Sequence, residues 1–310
     1  MSLIEVQNIT KKYGDTVAAK NLNFEVEQGE ILGFLGPNGA GKTTTMRIIT
    51  GYIPPSSGEV FVDGYNTFDD PLEVKKRIGY LPENPPLYDN MKVDKFLNFI
   101  AELKEVPRDE KQENIDRVID RLSLGSVRDR LIDNISKGFR QRVGLAQALI
   151  GDPEVLILDE PTTGLDPKQI IEIRELIKEL SEDKTIILSS HILPEVNMIA
   201  ERVLIINEGE IVAQDTTEEL SNRIKKGESL KVKVDGPEDE VKAEIDSLSG
   251  VEKVTLEDDV FTIESKAEAD IRRDVFFKMA DLGYPILEMN TADLSLEEIF
   301  LELTTQEEAI

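Results

Sequence analysis

The sequence predicts a mixed α/β domain built around a parallel sheet, with an antiparallel β portion and a helical insertion, followed by a small α+β unit. Three observations carry that reading. Gly36-Pro37-Asn38-Gly39-Ala40-Gly41-Lys42-Thr43 has the form GxxxxGK[ST] and lies between an apolar run, Glu30–Leu35, and a segment with helical character, Thr43–Thr50. Val155-Leu156-Ile157-Leu158 is a run of large aliphatics, as in a strand buried on both faces, and it ends in two carboxylates, Asp159 and Glu160. From residue 221 the pattern runs strand, helix, strand, strand, helix, strand, the split βαβ arrangement of ferredoxin-like folds.

Composition bounds what the chain can be. At 310 residues it has room for one large or two medium domains. No apolar run approaches a membrane span, and MSLIEVQNIT lacks the basic and apolar regions of a secretory signal. The absence of cysteine excludes disulfides and thiol catalysis, and fits a cytosolic protein. A formal charge of −26 argues against nucleic-acid binding through a basic surface and against a polybasic membrane anchor.

In chain order, Leu3–Val6 and Asn21–Val26 alternate apolar and polar residues, as half-buried antiparallel strands do. Lys11–Asp15 between them reads as a turn. Its Tyr13 is either a plain turn residue or a platform for a nucleotide base. After the glycine-rich loop, Pro54–Gly58 breaks the chain, Glu59–Val62 is a strand closed by Asp63-Gly64, and Ile78–Leu81 is a second strand. Pro82-Glu83-Asn84-Pro85-Pro86 is too proline-rich for regular structure. Residues 84–134 read as a helical block. Phe96, Phe99, Ile100 and Leu103 are expected on one face of its first helix, and Ile115, Val118, Ile119 and Leu122 on one face of its second, 109–122.

Ile135–Arg142 leads into an amphipathic helix, Val143–Ile150, which Gly151-Asp152-Pro153 stops. Gly164–Pro167 turns into a helix, Ile170–Leu180. The buried strand Thr185–Leu188 ends at Ser189-Ser190-His191, and Val203–Asn207 forms a hairpin with Glu210–Ala213. The tail gives strands at 229–234, 254–256, 260–264 and 285–289, helices at 239–248 and 269–282, and a last helix, Ser295–Leu303. The domains expected are 1–220 and 221–310.

The glycine-rich loop points backbone N–H groups at an anion, and the helix after it adds its positive end. Lys42 is expected to reach the β- and γ-phosphates of a nucleoside triphosphate, with the Thr43 hydroxyl on Mg²⁺. Asp159, at the end of a buried strand where ligands bind in such sheets, is placed to hold Mg²⁺ through water. Glu160 can polarise a water for attack on the γ-phosphate, although taken alone it is equally a solvated carboxylate. His191, the only histidine, ends the next buried strand at the same sheet edge, within reach of the γ-phosphate or that water.

With these segments in this order, residues 1–220 resemble the ATP-binding cassette (ABC) ATPases. The resemblance implies ATP and Mg²⁺ as cofactors. It implies that Tyr13 stacks on adenine, that Gly36–Thr43 with Thr44 is the Walker A loop, and that Glu83 stands in the glutamine loop as an ATP and Mg²⁺ contact. Ile135–Phe139 matches the LSGGQ signature, Val155–Glu160 the Walker B strand with its catalytic glutamate, Gly164–Asp166 the D-loop and His191 the switch histidine.

In that family the signature meets the ATP held by another subunit. Ser136, Lys137, Gly138 and Asp166 are therefore expected to act on a second cassette's nucleotide, the second cassette being a further copy of this chain. The signature departs from the family at two positions, with Lys137 for glycine and Phe139 for glutamine; Lys137 either adds a charge to the phosphate contact or points to solvent. The tail looks like that of bacterial exporter cassettes of the ABC-2 class, of the gliding-motility and sodium- or drug-extruding kind. The activity implied is ATP hydrolysis powering export through separate membrane-spanning permeases, on the inner face of the cell membrane, with no nucleic-acid partner. The alternative is a soluble, non-transport ABC ATPase. Its DNA-maintenance members need long coiled coils that the segment between Thr43 and Ile135 is too short to hold, and its translation members need a second phosphate loop. A P-loop kinase leaves the signature and His191 without a role.

Overall fold

The computed structural model describes residues 2–216, 229–257, 259–265 and 271–292. The chain divides into two compact units, Met1–Asp215 and Thr216–Ile310.

In the first unit, β1 (Ser2–Tyr13) and β2 (Thr16–Glu27) pair antiparallel. With β4 (Ser57–Val62) and β5 (Tyr65–Asn66) they form a sheet in the order β2-β1-β4-β5. The second sheet is six-stranded, in the order β10-β9-β3-β8-β7-β6. It comprises β3 (Ile31–Leu35), β6 (Ile78–Leu81), β7 (Val155–Asp159), β8 (Thr185–Ser190), β9 (Arg202–Asn207) and β10 (Glu210–Thr216). Every residue of β3, β7 and β8 is buried, as central parallel strands require.

Register decides what gathers at one edge. Leu35 of β3 lies opposite Ser190 of β8, and Asp159 of β7 opposite Ser189. The three strands therefore end level. The glycine loop, the paired carboxylates and His191 leave the sheet side by side.

Helix α1 (Lys42–Ile49) follows the loop and buries Met46, Ile48 and Ile49 in the core formed by both sheets, where the Phe24 and Phe34 rings lie 5.6 Å apart. Ile157 of β7 is fully buried there. Ile157→Ala is expected to cost about 2–5 kcal/mol, read as a lower denaturant midpoint.

The remaining helices are α2 (Pro71–Arg77), α3 (Val93–Leu103), α4 (Lys111–Arg121), α5 (Lys137–Leu149), α6 (Pro167–Leu180) and α7 (Leu193–Asn197). Lys104, just after α3, donates from Nζ to the carbonyls of Ala148 (2.9 Å) and Ile150 (2.6 Å), satisfying the C-terminal end of α5. Burial pushes this lysine's pKa down to about 8.

Several expectations are corrected. β1 runs through Tyr13, and the turn is only Gly14-Asp15. α5 starts six residues before Val143, so the signature is its first turn. α6 starts at Pro167, with the Asp166 carboxylate accepting from the Gln169 N–H at 2.9 Å. On α3 the buried face is Val93, Phe96, Leu97, Ile100 and Ala101, while Phe99 and Leu103 are exposed. The apolar stripe is rotated toward Leu97, and Phe99 instead packs on the Tyr88 ring at 5.6 Å. Ile115, Val118, Ile119 and Leu122 are buried as expected.

The second unit runs β11 (Ser229–Val234), α8 (Glu238–Asp246), β12 (Val251–Glu257), β13 (Val260–Ser265), α9 (Arg272–Leu282) and β14 (Ile286–Ala292). Its sheet is antiparallel, in the order β12-β13-β11-β14. Val232, Phe261 and Ile263 of the sheet pack against Val241 and Ile245 of α8 and Val275 and Met279 of α9. The expected helix Ser295–Leu303 lies outside the described residues.

Candidate nucleotide site

The loop after β3 can exist only with glycine at its tight points. Gly41 has φ +106, and a Cβ there would collide with the Ala18 carbonyl; one at Gly36 would collide with that of Ile206. So folded, the loop wraps the start of α1. Lys42, nearly fully buried, donates from Nζ to the carbonyls of Gly36 (2.7 Å) and Pro37 (3.2 Å) and lies 3.4 Å from Glu160 Oε1. The loop and helix side of a cleft of about 490 Å³ is formed by Asn38, Gly39, Gly41, Lys42, Thr43 and Thr44. Ala18, Glu83, Glu160, Thr163 and His191 complete its lining. Pro37 and Ala40 shape the loop, the Ala40 N–H donating to the Pro37 carbonyl at 3.2 Å.

Asp159 is buried at the floor of the site. Its Oδ1 accepts from the hydroxyls of Thr43 (3.1 Å) and Ser189 (2.7 Å), while its Oδ2 is buried with no hydrogen-bond partner. A buried carboxylate oxygen without a partner is costly unless something positive or protic approaches it. Together with the Thr43 hydroxyl it makes hard oxygen donors suited to Mg²⁺. Among the described residues no group of three or more His, Cys, Asp or Glu could hold a metal by itself, so a cation here would need phosphate oxygens as well.

Glu160 follows with φ +50, a left-handed conformation uncommon for a side-chain-bearing residue. Its N–H donates to Ser189, reaching the carbonyl at 3.2 Å and Oγ at 3.0 Å. The turn aims its carboxylate back into the cleft, where Oε2 accepts from Thr163 Oγ1 at 3.3 Å and lies 2.9 Å from His191 Nδ1. Lys42, Glu160 and His191 thus form one continuous polar wall. Nothing in the sequence marks Ser189 and Thr163 as partners of these carboxylates, since a hydroxyl at a strand end or in a turn gives no periodic signal.

Tyr13 and the signature residues lie outside the lining of this cleft. Tyr13 ends β1 half-exposed, with Lys11 Nζ 5.1 Å from its ring centroid, and is not in the cleft lining. The signature residues line a different cavity. Ser136 caps α5, accepting from the Phe139 N–H at 3.4 Å, and with Gly138, Phe139, Arg142 and Gln169 it borders a space of about 290 Å³. Lys137 reaches back over the D-loop of its own chain, so that a Cβ at Gly164 would collide with its Nζ. Asp166 is exposed at the start of α6.

A glycine loop feeding a helix, a level carboxylate pair and an adjoining histidine, with an antiparallel sheet and a helical block around them, define an ATP-hydrolysing P-loop domain. The ABC transporter family model matches residues 19–163. The chain is 40% identical over 227 residues, 73% of its own length and 73% of the other's, to the bacitracin transport ATP-binding protein BcrA of Bacillus licheniformis. It is 31% identical to the linearmycin resistance ATP-binding protein LnrL of Bacillus subtilis, covering 97% of this chain and 98% of that one. A solved dimeric structure of the cassette MJ0796 in a post-hydrolysis state bound to ADP and Pi aligns with TM-score 0.62 at 27% identity, over 69% of this chain and 98% of that one. The chain belongs to the ABC transporter family as an ATP-binding cassette, and its activity is transport-coupled ATP hydrolysis. Among the described residues no helix is long and apolar enough to cross a membrane.

Proposed function

We propose that this cassette powers export by closing on ATP head to tail with a second copy of itself. One observation carries the reading. In a single chain the cleft with Lys42, Glu160 and His191 and the cavity with Ser136 and Gly138 are separate, so each is half of a site. In the pair, Gly36–Thr44 and Lys42 hold the phosphates, and Thr43, Asp159 and Glu83 hold Mg²⁺. Glu160 takes the proton of the attacking water, and His191 orients Glu160 and the γ-phosphate end of the nucleotide. Ser136 and Gly138 from the second chain form the far wall, with Lys137 and Asp166 beside them. Tyr13 serves as the base platform. Mg²⁺, when bound, neutralises charge developing on the phosphates.

The export direction is supported by the names of the relatives that move bacitracin or confer linearmycin resistance. Membrane-spanning permeases are the partners, and the exposed Tyr88, Phe99 and Leu103 of the helical block are the apolar surface that docks them. The cassette is accordingly peripheral on the inner face of the cell membrane. Residues 221–310 form a ferredoxin-like accessory domain, a reading supported by the strand order and the two intervening helices.

Purification of the full chain from detergent-solubilised membranes tests the reading. A membrane-spanning protein should co-purify and accelerate hydrolysis. Glu83, exposed at the cleft beside the helical block, is expected to carry that coupling. Glu83→Ala should lower the stimulated part of the rate about fivefold or more, with Glu83→Gln milder. A chain recovered without any membrane partner overturns the transport reading; unchanged coupling in both variants removes Glu83 from it.

A further inference from the structure

The nucleotide cleft and the signature cavity are separate, yet one helix touches the machinery of both. α5 begins at the signature, and the side chain of Gln141 leaves it toward the chain that follows the catalytic carboxylate. Gln141 Nε2 donates to the Pro161 carbonyl at 2.7 Å, with both groups buried. Gln141 lies three residues after Gly138 and four after Lys137, so it shares their side of the helix.

The Pro161 carbonyl is an informative place to hold. Glu160 sits at φ +50, a conformation that persists only when its surroundings impose it. Proline has no N–H, so its carbonyl is the only backbone hydrogen-bonding group at 161. On the other side the turn is held by Ser189, which accepts from the Glu160 N–H, and by Glu195 of α7, which accepts from Thr162 Oγ1 at 2.5 Å. Both of those partners flank His191. Gln141 is the contact that comes from the signature helix.

We propose that Gln141 is a positioning residue that ties the signature end of α5 to the main chain beside Glu160. Engagement of a second cassette's nucleotide at Ser136 and Gly138 is thereby registered at the chain's own hydrolytic carboxylate. The inference rests on the paired-cassette reading above. The same two segments meet twice more. The Gln169 side chain covers Gly138, where a Cβ would lie 2.8 Å from Gln169 Cδ, and Lys137 leans on Gly164. Residues 136–141 and 160–169 are therefore locked to one another. Shape alone does not supply the tie, because an unbranched apolar side chain of similar length fills the volume but leaves the Pro161 carbonyl unpaired.

Steady-state hydrolysis of Mg-ATP by the full chain tests this, comparing wild type, Gln141→Met and Gln141→Glu between about pH 6 and about pH 8.5, with Glu160→Gln as control. Gln141→Met should lower kcat on the order of tenfold. Its KM for ATP should stay within about twofold, because Gln141 lines no part of the cleft. Gln141→Glu should match it at the alkaline end, where a carboxylate cannot donate. Relative to wild type it should recover as pH falls and the carboxyl proton becomes a donor. A Gln141→Met kcat close to wild type, a proportional rise in KM, or a pH-independent ratio of Gln141→Glu to wild type overturns the proposal. If both variants lose their circular dichroism signal, Gln141 is a folding contact and the positioning role falls. The control stands apart: hydrolysis retained in Glu160→Gln removes the catalytic reading itself, whatever the Gln141 variants do.

Discussion

Glu160→Gln is expected to bind Mg-ATP, hydrolyse it about 10²–10⁴-fold more slowly than wild type, and accumulate as an ATP-bound dimer. The substitution preserves shape. A glutamine in the same rotamer can still accept from Thr163 Oγ1 and sit beside His191 Nδ1. What it lacks is a negative oxygen able to take a proton from water. It also removes the carboxylate 3.4 Å from Lys42, leaving that ammonium with the Gly36 and Pro37 carbonyls and a stronger pull on phosphate. Binding is therefore kept or improved while the step that reopens the pair is lost. Size-exclusion chromatography with light scattering, with and without Mg-ATP, reads the dimer, and phosphate release reads the chemistry. A variant that stays monomeric with Mg-ATP, even with its membrane partner supplied, sinks the paired-cassette reading. Turnover near the wild-type rate sinks the role of Glu160.

The parts of this site that were legible in the sequence share a physical cause. Val155–Leu158 and Ile186–Leu188 are apolar throughout because parallel strands with both faces covered favour large aliphatic side chains. A polar residue at the end of such a strand therefore stands out, as Asp159, Glu160 and His191 do. The glycine loop was legible because close backbone approach at Gly36 and Gly41 leaves no room for a Cβ. The parts that were missed depend on contacts between elements far apart in sequence. Nothing local says that Gln141 reaches Pro161, or that Ser189 serves Asp159 and Glu160 together. Phe99 and Leu103 fit a helical stripe by spacing, yet the stripe that packs is the one through Leu97 and Ala101. The short α2 escaped because seven residues show too little periodicity, although Pro71 in its first turn and Lys75, Lys76 and Arg77 in its last are helix-end signals.

Lys42→Met should weaken ATP binding by about 30-fold to a few thousand-fold, the range for removing one member of a buried, hydrogen-bonded charge pair. Lys42 does two things that can be separated. Its stem fills the centre of the loop and its ammonium holds the Gly36 and Pro37 carbonyls, which fixes the loop's shape. The same ammonium is the positive charge of the cleft nearest Glu160, and so the group best placed to meet the outer phosphates. Methionine keeps most of the stem and removes the charge. If charge recognition dominates, affinity should fall for ATP and ADP while adenosine and AMP bind as before. If the loop collapses instead, all four nucleotides and nucleosides should weaken together, and thermal stability should fall with them. Lys42→Arg is the informative partner, because it keeps the charge but demands room for a planar fork where Gly36 already abuts Ile206. It should bind ATP poorly despite its charge, since the guanidinium cannot settle on the two loop carbonyls. Titration with a fluorescent ATP analogue, displaced in turn by ATP, ADP, AMP and adenosine, reads all of these. Loss of less than about threefold in ATP affinity for Lys42→Met would show that the backbone N–H groups of the loop hold the phosphates with little help from the side chain.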